Sequence, residues 1–395
     1  MENIAVTRLI DYLKINSEQP HPNYTECRDF LFNYADELGM MRRSVETAPG
    51  VFFVIMTIIG FLPDLPSIML YSHMDTVLTS NDWTHPPYSG YKDENGTIYG
   101  RGAQDMKSLG IQHMEAFRNL FEQGIKQWKR TIHIVFAPDE ETGSMNGMQG
   151  FVKSEEFKKL NIGFSLDEGG PSQNDIYNVY YGEKVTWFVN VTITGSPGHG
   201  SQFIKNTALE KLERLLYNTR NFRNEQETLM NKNNLTLADV TTLNVNIING
   251  GVLVNIVPEK IHVSIDMRLT PNQDFGEVRS RLDKWMKDAG EGVSYQFVQY
   301  SDFKPVSPST RDNPFWAAFE DGMKEMNCKF NKGIMAASTD ARFVREAGIP
   351  ALGFTPMVNT PFLLHDKDEC LSEKEFLKGI KIYEAVINKL ANVDG

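Results

Sequence analysis

Apolar runs of strand length alternate with helix-period segments along the first part of this chain, and that order leaves few ways to fold. Helices read at roughly 4–15 and 24–39, the second stopped by Gly39. Strands follow at 51–57 and 66–72, then a helix from about 105 to 123 with Leu109, Ile111, Met114, Phe117 and Phe121 spaced for one buried face. Strand 131–137, a helix near 145–158 and strand 162–167 complete the series. Alternating β and α implies an α/β domain: a mostly parallel sheet with helices on both faces.

Near residue 184 the pattern changes. VTWFVNVTIT alternates as a strand exposed on one face, and a long helix carries Leu209, Leu212, Leu215 and Leu216. Strands 241–248 and 260–269 come next, then a helix with Val278, Leu282, Trp285 and Met286, then VSYQFVQY at 293–300. The order β-α-β-β-α-β is that of a ferredoxin-like unit. After about 305 the α/β pattern resumes, with a helix at 313–327, strand IPALGF and a final helix at 372–391. The expected organisation is therefore an α/β domain in two parts, 1–183 and 305–395, with a second domain inserted at 184–304.

A chain of 395 residues is too long for one ordinary core, which agrees with this division. Its formal net charge of −11 argues against nucleic acid or an anionic membrane as partner. The three cysteines, Cys27, Cys328 and Cys370, form no disulfide framework or CxxC motif and fit a reducing compartment. MENIAVTRLIDYLKI reads as an amphipathic helix rather than a signal peptide. The most apolar run, 51–62, is shorter than the ~20 residues a membrane helix needs and reads as a pair of sheet strands. The expectation is a cytoplasmic protein with no membrane partner.

Five segments place acids or imidazoles at the ends of apolar runs. SIMLYSHMDTV carries His73 and Asp75; YGRGAQDMKS carries Asp105 at a helix start; TIHIVFAPDEETG carries Asp139, Glu140 and Glu141; GFSLDEGG carries Asp167 and Glu168; TPFLLHDKDE carries His365. Each has a plain reading in isolation. An H-x-D pair sits on many surfaces, adjacent acids are usually solvated, Asp105 has the position of an N-cap, and His365 lies in a charged loop. Their joint occurrence at strand ends is less easily dismissed, because ligands of open α/β sheets bind at the carboxyl ends of the strands. Two imidazoles and three carboxylates suit two borderline divalent metals with one carboxylate bridging. The metal charge would make the clustered acids tolerable.

SHMDTV, GRGAQDMK, PDEETGS, LDEGG and LLHDKDE resemble, in order and spacing, the co-catalytic zinc amidohydrolases and peptidases, a family that includes type-1 aminoacylases, carboxypeptidase G and carnosinase. The wording is most similar to the aminoacylases and covers roughly 65–390. Before residue 60 only the helix pattern and His21-Pro22-Asn23 echo it. The resemblance implies two Zn2+ per subunit, one held by His73, Asp105 and Glu168, the other by Asp105, Glu141 and His365. It makes Asp75 the residue that orients His73, Glu140 the general base that passes a proton from water to the leaving nitrogen, and Asp139 structural.

In this family the inserted domain dimerises and acts as a lid, so a homodimer is implied. His199 of SPGHGSQ would reach the partner subunit's zinc site and stabilise the oxyanion. The family's usual GHAS stands here as GHGS, which loosens the loop but keeps the imidazole. Asn255 and Arg268 match positions that bind polar groups of the substrate. Arg342 matches an arginine that binds a substrate carboxylate; read from its own residues, a salt bridge at the sheet end serves equally well. Arg345 reads as structural. The implied activity is hydrolysis of small N-acyl-L-amino acids to a carboxylate such as acetate and a free L-amino acid. A dipeptidase or carboxypeptidase of the same fold, and a non-catalytic dimeric binding protein, are the rival readings.

Overall fold

The computed structural model describes residues 2–395 as two compact units. One contains the chain up to Gly182 together with Val306–Gly333 and Thr339–Gly395; the other contains Glu183–Pro305 with Ile334–Ser338. The return of 334–338 to the second unit is a feature the sequence pattern does not announce.

The first unit is built on an eight-stranded sheet. Its order is Met41–Ala48, Val51–Ile58, Ile132–Ala137, Ser67–His73, Ile162–Asp167, Ala351–Phe354, Tyr177–Glu183 and Phe330–Met335. The four central strands, from Ile132–Ala137 to Ala351–Phe354, run parallel, with His73 opposite Ala137 and Gly353 opposite Asp167. Val51–Ile58 and Met41–Ala48 continue the sheet antiparallel on one side, and Tyr177–Glu183 pairs antiparallel on the other. Ile132–Ala137 and Ser67–His73 are buried along their whole length, which is why they read as continuous apolar runs rather than as alternation.

The helix near 105–123 forms as Lys107–Glu122, but it is buried nearly all round from Lys107 to Phe117 rather than along one face. It is sandwiched between the sheet and the helices Ile4–Leu13 and Glu373–Leu390. Gly110 permits the close approach to the sheet, because a Cβ there would lie 2.4 Å from the Phe136 ring. The region 145–158 forms two short helices, Met148–Phe151 and Glu155–Lys158, the second restarted by Ser154 as N-cap. The apolar run 51–62 supplies one strand and not two. After Ile58 the chain turns onto the 128–130 segment, where Phe61 and Leu62 donate to the carbonyls of Trp128 and Lys129 at 2.9 Å. A Cβ on Gly60 would lie 2.4 Å from the Arg130 carbonyl carbon.

The second unit has the four-stranded antiparallel order Thr242–Gly250, Lys260–Leu269, Val185–Thr194, Val293–Gln299, with helices Ala208–Lys232 and Phe275–Ala289. This is the ferredoxin-like arrangement. Alternate residues Val185, Trp187, Val189, Val191 and Ile193 enter its core. On the long helix the buried stripe runs through Leu212, Leu215, Thr219 and Phe222. Leu209, expected on that stripe, is 52% exposed, because it lies roughly a quarter-turn round the helix from the stripe's centre. Among the described residues no helix is long and apolar enough to cross a membrane.

His113, on the Lys107–Glu122 helix, is buried edge-on to Tyr383, and neither ring nitrogen has a hydrogen-bond partner among the described residues. Burial pushes its pKa down to about 3. The unfolded chain takes up this proton near pH 6.5 while the folded chain refuses it until about pH 3, so the contribution is present above 6.5 and is lost as pH falls through that window. By pH 5 the loss is about 2 kcal/mol. Urea midpoints measured from pH 7.5 to 5 should fall less steeply for His113→Leu than for the parent protein.

Candidate metal centre

Parallel strands share a carboxyl edge, and here that edge collects polar side chains. His73 is the last residue of Ser67–His73, Glu140 and Glu141 open the short 3-10 turn just past Ile132–Ala137, and Glu168 directly follows Ile162–Asp167. Gly353 lets the neighbouring strand pass, since a Cβ there would lie 2.5 Å from the Glu168 carbonyl oxygen. Asp105 comes from the loop ahead of the Lys107–Glu122 helix. It is not that helix's N-cap: Met106 holds the cap position and no side chain caps it. The carboxylate faces inward instead. His365 comes from the loop before Cys370–Ser372.

Asp105 Oδ1 lies 3.0 Å from His73 Nε2, and its Oδ2 lies 3.2 Å from His365 Nε2. Glu168 Oε2 is 3.8 Å from His73 Nε2, and Glu141 Oε2 is 3.2 Å from His365 Nε2. Two trios result, His73–Asp105–Glu168 and Asp105–Glu141–His365, each with its ligand atoms within 4.8 Å of one another. Asp105 belongs to both, one oxygen to each. The first trio is buried, whereas the His365 side chain is 55% exposed.

The donor chemistry fits divalent cations. His73 Nδ1 sits 2.8 Å from the Asp75 carbonyl oxygen, which can only accept, so Nδ1 carries the ring proton. In the neutral ring Nε2 then presents a lone pair to a carboxylate at 3.0 Å, a contact that requires a proton or a cation between them. Glu141 Oε1 is buried without a hydrogen-bond partner among the described residues. The protein's own charges repeat the point. Burial pushes Glu141 up to about 7, with Asp105 adding to the effect, and Asp105 and Glu141 lift His365 to about 10. Burial alone would lower His73, but the hydrogen bond to Asp105 and the charge of Glu168 reverse it. The cluster as it stands holds protons where metal binding would release them.

Asp75 is placed differently from expectation. Its carboxylate is 3.7 Å from His73 Nδ1, too far for a hydrogen bond, and the orienting contact is made by its main-chain carbonyl. The carboxylate instead accepts from the Glu140 and Glu141 amides, at 3.2 Å each, and from Gln19 Nε2 at 2.8 Å. It therefore anchors the turn that carries both glutamates. Asp139, in the left-handed region with φ 67°, closes the same loop by accepting from Thr142 Oγ1 and, at 2.9 Å, from Asn146 N.

Glu140 stands beside the trios. Burial pushes its acid well above the carboxylate range; His73 and Arg342 pull it down, while Asp340 and Glu141 push it up. Asp340 is a residue the sequence reading passes over. It is fully buried, accepts from Tyr71 Oη at 2.5 Å and from Ser144 Oγ, and its only sequence signal is its place in STDAR two residues before Arg342. Arg342 has no carboxylate partner among the described residues. Its Nη1 donates to the Thr339 carbonyl at 2.8 Å, and its Nε is buried without a partner. The salt-bridge reading of this arginine therefore has no acid to bond. Arg345 donates to Ser307 Oγ and the Ala351 carbonyl, a structural arrangement.

The second unit holds His199, Asn255 and Arg268. His199 pairs with Ile256 in a two-residue ladder, and the Asn255 carbonyl accepts from Gly200 N at 2.9 Å, so the histidine and the asparagine are neighbours. Ser201 N donates to His199 Nδ1 at 3.3 Å, which leaves the proton on Nε2 of this exposed ring. Arg268 is clasped by Asp266 through two bonds of 2.7 and 3.1 Å and donates to Thr186 Oγ1 at 3.0 Å.

Residues 69–389 match the model of peptidase family M20/M25/M40. This chain belongs to that family. The chain is 43% identical over 393 residues to aminoacylase-1 of Sus scrofa, covering 99% of this chain and 96% of the pig protein. It is 42% identical over 394 residues to aminoacylase-1 of Homo sapiens, with the same coverage. The likeness thus extends through the first 60 residues, where the motifs alone show little. Among solved structures, an M20 metallo-carboxypeptidase of Sulfolobus solfataricus superposes with a TM-score of 0.75 at 18% identity, covering 99% of this chain and all of that one. A Bacillus subtilis protein described as a dinuclear metal-binding peptidase of the M20 family gives 0.69 at 13% identity, covering 98% and 99%. At such identities these two carry the fold alone.

Metal analysis of dialysed protein checks the shared carboxylate. His365→Ala should retain one ion per chain and Asp105→Ala none, because only Asp105 serves both trios. Equal losses in the two variants would contradict the arrangement.

Proposed function

We propose that this M20 chain is a zinc-dependent amidohydrolase that cleaves N-acyl-L-amino acids to a carboxylate such as acetate and a free L-amino acid. The observation that carries the reading is the pair of trios joined through Asp105 with one spare carboxylate, Glu140, beside them. Whole-length likeness to aminoacylase-1 supplies the substrate class. His73, Asp105 and Glu168 would hold one Zn2+, and Asp105, Glu141 and His365 the other. Bound zinc would polarise the acyl carbonyl and make water a better nucleophile at neutral pH.

The chain's own residues then divide the work. Glu140 takes a proton from the attacking water and returns it to the leaving nitrogen; its raised acid suits a group that must hold a proton for part of the cycle. Asp75 keeps Glu140 and Glu141 in place through their amides. Arg342, bonded to no carboxylate among the described residues, receives the α-carboxylate of the substrate. Asn255 and Arg268 orient the amide. His199, protonated on Nε2, donates to the developing oxyanion of the partner subunit's substrate in a homodimer. Exposed apolar side chains on the edge strand Thr242–Gly250 of the inserted unit support such a dimer: Ile247 and Ile248, on its two faces, are each 50% exposed.

Purified, zinc-loaded protein should hydrolyse N-acetyl-methionine and related acetylated amino acids in preference to dipeptides; turnover of dipeptides alone would overturn the substrate class. Glu140→Gln should lower kcat by roughly 10²–10⁴-fold while metal content is unchanged. A near-normal kcat would remove Glu140 from its role. Arg342→Lys should raise KM by about tenfold or more, with a smaller effect on kcat.

A further inference from the structure

Glu369 lies four residues beyond His365 and is fully buried. A carboxylate in that position is costly unless its oxygens are completely satisfied. Oε2 accepts from Arg101 Nη1 at 2.8 Å and from Gly102 N at 3.2 Å; Oε1 accepts from Gln104 N at 2.6 Å and from Asp105 N at 3.1 Å. Its main-chain carbonyl accepts from Gly100 N at 3.0 Å. All five donors belong to the segment 100–105, which ends in the shared ligand Asp105.

Gln104 laces the same two segments in the other direction. Its Nε2 donates to the carbonyls of Pro361 and Cys370 at 3.0 and 2.8 Å, and its Oε1 accepts from Leu363 N at 3.1 Å. The loop carrying His365 and the loop carrying Asp105 are thus joined on both sides of the histidine. Neither loop is part of the central sheet, whereas His73 and Glu168 are at or next to the ends of paired parallel strands. The sheet fixes the His73–Asp105–Glu168 trio on two of its three corners. For the other trio, the separation of Asp105 from His365 depends on how these two loops are tied.

We propose that Glu369 is a positioning residue that sets the Asp105–His365 spacing, and with it the affinity of the metal position formed by Asp105, Glu141 and His365. It touches neither metal nor substrate and acts through the Asp105 amide. The proposal rests on reading the two trios as metal positions.

Glu369→Gln tests it, because the exchange keeps the size and turns one acceptor oxygen into a donor facing two N–H groups. Zinc binding to the metal-stripped full-length chain is measured across buffered free Zn2+, with the thermal midpoint of the metal-free chain recorded alongside. The parent protein should bind two ions. The variant should keep one site at parental affinity and bind the second ~10–100-fold more weakly, and activity should return as free Zn2+ is raised, with KM unchanged. Parental affinity at both sites, or equal weakening of both, would overturn the proposal. Fewer than two ions in the parent protein would instead defeat the metal reading itself. Gln104→Ala cuts the second tie without burying an altered charge. If Glu369→Gln does not fold, Gln104→Ala should show the same selective weakening, and its failure to do so counts against the proposal equally.

Discussion

A single carboxylate, Asp105, stands between two imidazoles, one oxygen toward each. The rest of the site is organised by that sharing. Glu168 completes one side and Glu141 the other, and Glu140 remains as the acid that belongs to neither trio. Four carboxylates this close, mostly out of water, repel one another; burial raises Glu140, Glu141 and Glu168 together. Such a group persists only with compensating positive charge, from protons on the imidazoles or from divalent cations.

Around it lies a ring of buried acids whose partners are mostly main-chain or neutral. Asp75 takes the amides of Glu140 and Glu141, Asp340 takes the hydroxyls of Tyr71 and Ser144, and Glu369 takes the amides of Gly102, Gln104 and Asp105 together with Arg101. Each holds a segment rather than a ligand ring. A reaction that needs its groups placed within a fraction of an ångström gains from this, because loop atoms tied by several short bonds move little.

Much of the architecture was legible in the residues. The run SIMLYSH could be read as a buried strand because Ile68–Tyr71 are consecutively apolar, and the inserted unit because its strands alternate and its helices carry stripes. The segments of His73, Glu140, Glu141 and Glu168 stood out as candidates because each follows an apolar run with a group that costs energy to bury. Met41–Ala48 was not, since an edge strand such as MRRSVETA exposes both polar and apolar side chains and shows neither period clearly. Gly60 hid the end of Val51–Ile58, because only the neighbouring 128–130 backbone shows why the chain must turn there. Glu369 looked like one more acid in HDKDE, and Asp75 like a partner for His73, because sequence distance says nothing about which amide a carboxylate meets.

The sequence by itself determined which residues are candidates: burial, period and side-chain chemistry are local properties, and they suffice to mark His73, Asp105, Glu140, Glu141, Glu168 and His365. Only the tertiary structure decided how they are divided. Which oxygen of Asp105 faces which imidazole, that the Asp75 carboxylate holds a turn, and that Arg342 bonds to no carboxylate among the described residues are settled by where strands end and loops cross. Those positions follow from packing between segments up to hundreds of residues apart, and no local pattern encodes them.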